Sequence, residues 1–141
     1  MTRVDQLGFV ILELRSAAAV TALVPALSIN GGEQRKASPS IVVSYLDSRP
    51  SATAPRTPSR TLLISFKCIV AKAATADILC VQIANAVAEF LHYRGPRVSS
   101  SGVAIWLSTE QNTGAVQRDP VTDDPFVVVI ASLKAAASAV A

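Results

Sequence analysis

Few residues in this chain could carry out a reaction. A thiol, an imidazole and grouped carboxylates are the usual tools, and the chain holds two cysteines (Cys68, Cys80), one histidine (His92) and a short acidic run of Asp119, Asp123 and Asp124. A cysteine beside a histidine would make a nucleophile, the imidazole taking the thiol proton before the thiolate attacks. Such pairs are assembled in space, so spacing alone does not exclude one. Cys68, however, falls on the most apolar face of a strand pattern, where burial raises a thiol's pKa and leaves it inert. His92 has no second histidine and no Cys-x-x-Cys near it, which removes the spacing of a zinc site. The acidic run lacks the glycine and terminal glutamate of a calcium loop and reads as turn chemistry beside Pro120 and Pro125. Gly31-Gly32 is not followed by the Gly-Lys-Ser/Thr of a phosphate loop. The expectation is a protein that is no enzyme, with no catalytic residues, cofactor or metal.

Three arginines stand apart. Arg49, Arg56 and Arg60 are interleaved with Pro50, Pro55 and Pro58 in a segment, 47–60, with almost no apolar content. The plain reading is a solubilising, mobile tip. The functional reading is a partner interface, an arm that orders on assembly. Three arginines touch too few phosphates for tight nucleic-acid binding, although a ring of copies would multiply them. Prolines stiffen the segment and lower the entropy lost on docking. That favours an acidic protein surface over moving duplex as the direct contact.

The elements that must position these groups follow a simple order. Val4, Leu7, Ile11, Leu14 and Ala18 recur at helical steps and predict a helix over about 5–19, capped by Thr2 or Asp5. Residues 20–24 continue it or form a short second helix that Pro25 closes. Asn30-Gly31-Gly32 reads as a turn. Strands are expected over 41–46 and 61–71, joined by the 47–60 tip as an antiparallel hairpin, with Leu62, Ile64, Phe66, Cys68 and Val70 on one face. A helix over 75–93 carries a narrow polar stripe, Gln82, Asn85, Glu89 and His92, and is otherwise apolar, which predicts burial on most sides. Two further strands, 103–108 and 126–133, complete the order helix, two strands, helix, two strands. The fold class is α/β (α+β): a mainly antiparallel four-stranded sheet packed by helices. Residues 1–134 form a single domain, and the alanine-rich 135–141 is a flexible tail.

Composition points the same way. The chain has 141 residues, half of them apolar and only 16% charged, with a net charge of +3. Soluble domains run near a quarter charged. A domain of this size buries roughly 70% of its unfolded surface and needs no staple. The two cysteines therefore fit buried free thiols in a reducing compartment. No run of about 18 apolar residues exists to span a membrane, and no signal peptide is legible, so synthesis in the cytoplasm is expected. The surplus of apolar residues over what one small core requires predicts assembly with copies of itself.

Several segments, in order, resemble the tail-terminator or tail-completion proteins of tailed phages. They are Val20-Thr21-Ala22-Leu23-Val24 after the opening helix, Pro39-Ser40-Ile41-Val42-Val43 at a strand start, strand 62–70 leading straight into the alanine-rich helix 76–91, Arg118-Asp119-Pro120 at a turn, and an apolar final strand. The resemblance spans about residues 7–134. The tip at 47–60 is longer and richer in proline than that family's pattern, and Asp123-Asp124-Pro125 replaces its usual strand opening. The resemblance implies a structural virion protein at the head-proximal end of the tail, made in the host cytoplasm. It implies a homo-oligomeric ring, usually a hexamer, that caps the tail tube and ends its polymerisation. Its partners would be the major tail tube protein and a head-tail connector or stopper. DNA would pass through the lumen without sequence-specific binding, and no membrane or cofactor is implied. Two alternatives remain: another phage neck or tail-tube protein, and a small cytoplasmic ligand-binding or enzyme domain.

Overall fold

The computed structural model describes residues 6–31, 38–50, 59–91, 97–98 and 105–136. Helix α1 (Gln6–Arg15) is followed by a short α2 (Ala18–Thr21), a 3-10 turn (Ala26–Ser28) and strands β1 (Ile29–Gly31), β2 (Ser40–Pro50) and β3 (Ser59–Ile69). Helix α3 (Ala76–Leu91) then precedes β4 (Arg97–Val98), β5 (Ile105–Thr113), β6 (Gln117–Arg118) and β7 (Pro125–Ala136). All seven strands join one sheet in the order β1-β2-β3-β7-β5-β4, with β6 also on β7. The class is α+β, as the alternation of patterns predicts.

The four expected strands form the antiparallel centre, β2-β3-β7-β5. The sheet is nonetheless mixed and wider than four strands, because β1 lies parallel to β2, with Ile29 opposite Ile41. Its Asn30-Gly31 had the look of a turn. What holds it as a strand is Arg15, whose Nε donates to the Ile29 carbonyl at 2.9 Å and whose Nη2 donates to Asn30 Oδ1 at 2.7 Å. A long-range side-chain anchor has overridden local turn chemistry. The opening helix also divides: α1 stops at Arg15, and the chain re-enters a helix at Ala18.

The hairpin corrects the boundaries of the tip. Both β2 and β3 run farther than apolar alternation indicates, so Asp47, Ser48, Arg49 and Pro50 pair with Leu63, Leu62, Thr61 and Arg60. Only residues 51–58 remain as a connection, and they lie outside the described residues. A register shift between Tyr45 and Asp47 leaves Leu46 as the extra residue of a bulge. Strand β7 likewise passes its expected end at Leu133 and runs to Ala136, into the segment expected as a flexible tail. Ala135 and Ala136 pair with Arg60 and Ser59 on one side and with Trp106 and Ile105 on the other. Backbone bonds to two neighbours hold these alanines, which alone have little side chain to bury.

One face of the sheet carries the core. Ile41 and Val43 of β2, Ile64, Phe66 and Cys68 of β3, and Val127, Val129 and Ala131 of β7 are buried with Cys80, Ile83, Ala84, Val87 and Leu91 of α3. Leu14, Val20 and Val24 extend the same cluster. The inward face read from alternation in β3 is the inward face found. Helix α3, expected to be buried on most sides, is buried on one: Ile78 is 62% exposed and Val81 40%. Phe66 is fully buried at the centre of the cluster. Its replacement by alanine is expected to cost about 3–5 kcal/mol in chemical denaturation. A loss of a few tenths would show that this face is not the core.

Candidate interaction surface

The groups that could react are occupied with structure. Cys68 and Cys80 are both free and buried. Burial, reinforced by the neighbouring Cys80, pushes the Cys68 thiol up to about 12. Burial raises Cys80 as well, and its Sγ donates to the Pro125 carbonyl at 3.1 Å. Thiols held in this way carry almost no thiolate at neutral pH. His92 lies outside the described residues.

The acidic run builds a turn. Asp119 Oδ1 accepts from the backbone N–H groups of Val121 at 2.8 Å and Thr122 at 3.1 Å, which holds its carboxyl below the usual carboxylate range. Asp123 takes a left-handed φ of 60°, a conformation Asp tolerates better than most residues. Lys72 Nζ sits 2.9 Å from Asp123 Oδ2 and lowers its pKa, and Asp124 Oδ1 accepts from the Lys72 backbone N–H at 2.8 Å. Arg118 donates through one nitrogen to both oxygens of Asp77 at 3.1 Å. These bonds pin the turn to the first turn of α3. Among the described residues no group of three or more His, Cys, Asp or Glu side chains is placed to hold a metal ion.

What remains is surface. Outside the helix layer Leu12, Leu27 (81% exposed), Ile78 and Val81 face solvent. The second face of the sheet is built from aligned rows: Ile69 opposite Phe126, Val42 opposite Lys67 opposite Val128, and Ser44 opposite Ser65 opposite Ile130. The Lys67 ammonium lies 4.3 Å from the Phe126 ring centroid, and the Ser44 and Ser65 hydroxyls are hydrogen-bonded at 2.9 Å. The described helices pack against the opposite face, through contacts of α3 with β3, β5 and β7. Phe126, Val128 and Ile130 are left only half-buried. β7 is thus apolar on both faces, as its sequence reads, but one face has no covering layer among the described residues.

Arg49 is in β2 opposite Thr61, Arg60 is in β3 opposite Pro50, and Arg56 lies outside the described residues. The register brings in two cations that sequence reasoning missed: Lys134 of β7, opposite Thr61, and Arg97 of β4, opposite Trp106. Both are distant in sequence from the tip. Only the β3–β7–β5–β4 pairing could have revealed them.

No protein-family model matches the chain, and no curated protein matches it in sequence. Among solved structures it is similar to a chain of the virion of a native gene transfer agent particle. The TM-score is 0.60 at 14% identity, covering 95% of this chain and 98% of that one. It is also similar to a second solved chain, with a TM-score of 0.51 at 16% identity and 97% coverage of each. These likenesses show a shared fold over nearly the whole length.

The burial of the thiols is directly testable. Native protein at pH 8 is expected to leave both cysteines unreacted with an aromatic disulfide reagent, and denaturant should release two equivalents at once. Rapid titration of either thiol in folded protein would contradict the placement of Cys68 and Cys80 in the core.

Proposed function

We propose that the chain is a structural virion protein that closes into a ring, six subunits in the assembled particle, at the head-proximal end of a phage tail tube. The ring ends tube polymerisation, joins the tail to a head connector or stopper, and lets DNA pass through its lumen. The observation that carries this reading is the fold likeness to a virion chain over 95% of this chain and 98% of that one. The resemblance of segments 20–24, 39–43 and 118–120 to tail terminators narrows it to that position.

The surfaces suit the role. A closed ring is heterologous: each subunit offers two different patches, one to each neighbour. This subunit exposes Ile78 and Val81 on the outside of α3, and leaves Phe126, Val128 and Ile130 half-buried on the sheet face that no described helix covers. Apolar patches of this kind mark contact sites on soluble proteins. The end of the sheet bearing Arg49 and Arg60, with Arg56 between them in sequence, faces a partner other than a ring neighbour. The reading places no catalytic step in the chain.

Electron microscopy of particles carrying a tag on this protein tests the reading. One ring of label at the head-proximal end of the tail is expected. Label repeated along the tube would make it a tube protein, and label within the head vertex would make it a head-side component. Either result overturns the assignment.

A further inference from the structure

The contacts that turn Asn30-Gly31 from a turn signal into a strand act on a reactive dipeptide. Of the asparagines Asn30, Asn85 and Asn112, only Asn30 precedes a glycine. That pairing is the one most prone to lose its side-chain amide, because glycine has no Cβ to hinder attack by its own backbone nitrogen. Asn85 is followed by Ala86 within α3, and Asn112 by the β-branched Thr113 within β5. Asn30 is half-buried and Gly31 exposed, so water reaches the pair. Both ends of the Asn30 amide are engaged: Oδ1 accepts from Arg15 Nη2 at 2.7 Å, and Nδ2 donates to the Leu27 carbonyl at 2.8 Å. Arg15 Nε also donates to the Ile29 carbonyl at 2.9 Å. The backbone is in register with β2, Asn30 opposite Val42 and Gly31 opposite Val43.

We infer that Asn30 is a site of spontaneous deamidation and that Arg15 gates it. The Gly31 nitrogen attacks Asn30 Cγ, and the new C–N bond closes a five-membered imide. The Gly31 N–H proton passes to water or hydroxide, and the side-chain nitrogen leaves as ammonia. Water then opens the ring at either carbonyl and leaves an aspartyl or isoaspartyl linkage. The fold obstructs the first step in two ways. Ring closure turns the Asn30 backbone out of the extended range of a strand, which would part Gly31 from Val43. It also swings the amide onto the Gly31 nitrogen, against its bonds to Arg15 and Leu27. The reaction therefore waits for β1 to detach. A three-residue strand at the sheet edge is the kind of element that opens locally at low cost. The change is one-way. An isoaspartyl linkage adds a methylene to the main chain, so Ile29 and Gly31 cannot both keep Ile41 and Val43 opposite them. An aspartyl side chain sets a carboxylate oxygen, which cannot donate, against the Leu27 carbonyl. Arg15 thus guards the edge strand against a modification that would unpair it. The inference concerns the single chain and does not depend on ring closure.

The test incubates the full chain at pH 8 and 37 °C, native and in guanidinium chloride, and follows each asparagine by mass spectrometry of its peptides. In denaturant Asn30 is expected to convert while Asn85 and Asn112 stay intact over the same time. Native protein should convert Asn30 at least about tenfold more slowly, since the reactive geometry is reached only through local opening. Arg15→Ala should speed the native reaction about tenfold, the size expected for losing hydrogen bonds to a charged group. Arg15→Lys keeps the charge without the fork of donors and should speed it less. Arg118→Ala, which frees Asp77 elsewhere in the fold, should leave the Asn30 rate unchanged. Circular dichroism melts show which variants are folded, and Arg15→Lys carries the comparison if the alanine variant is not. The inference is overturned by an Asn30 that stays intact in denaturant, by equal rates in native and denatured chains, or by a folded Arg15 variant that converts as slowly as the parent. Failure here would leave the ring reading untouched, because microscopy of particles does not depend on it.

Discussion

Strands β3 and β7 pair over eleven successive positions, from Ser59 opposite Ala136 to Ile69 opposite Phe126. Every other part of the molecule hangs on this ladder. It fixes which face of each strand turns inward, since a slip of one residue would exchange the buried Ile64, Phe66 and Cys68 for Leu63, Ser65 and Lys67. Its end is tied to the helix layer by one carbonyl: Pro125 O accepts from the Val70 N–H at 3.2 Å and from Cys80 Sγ at 3.1 Å. Strand, turn and helix thus share a single fixed point. The same register aligns Lys134 with Thr61 and Ala135 with Arg60.

This ladder joins segments far apart in sequence, and β7, the last strand along the chain, lies at the centre of the sheet. The local β2–β3 hairpin can form first, but β5 gains its main partner only when β7 inserts. Pairing of that kind is slow relative to helix formation because loop closure precedes the stabilising contacts. Bulges at Leu46 in β2 and between Ser108 and Glu110 in β5 twist the two strands that flank the centre. Such irregularities are a common means of keeping strands from pairing with the wrong chain while the sheet is incomplete.

Legibility in the sequence followed the range of the forces involved. The inward face of β3 and the span of α3 were readable because alternation and helical spacing are local. The helix layer on one face and the antiparallel centre followed from element order. Strand β1 was hidden, since Asn30-Gly31 reads as a turn until Arg15 reaches it from α1. The strand ends at Asp47–Pro50 and at Ala135–Ala136 were hidden for a related reason. Their residues have poor strand propensity, and their hydrogen bonds come from neighbours that composition does not disclose. The order of strands across the sheet was least legible, since the pairings of β7 with both β3 and β5 join segments far apart in the chain.

The second sheet face links architecture to assembly. A helix layer on one side gives the subunit its core, and Phe66 is buried without help from any partner. The other side keeps Phe126, Val128 and Ile130 half-covered, with Lys67 laid over Phe126 as the one charge in those rows. A cation above an aromatic ring shields apolar surface while leaving a charged group at the water boundary. Half-covered apolar side chains of this kind gain by burial if a further surface displaces the water over them.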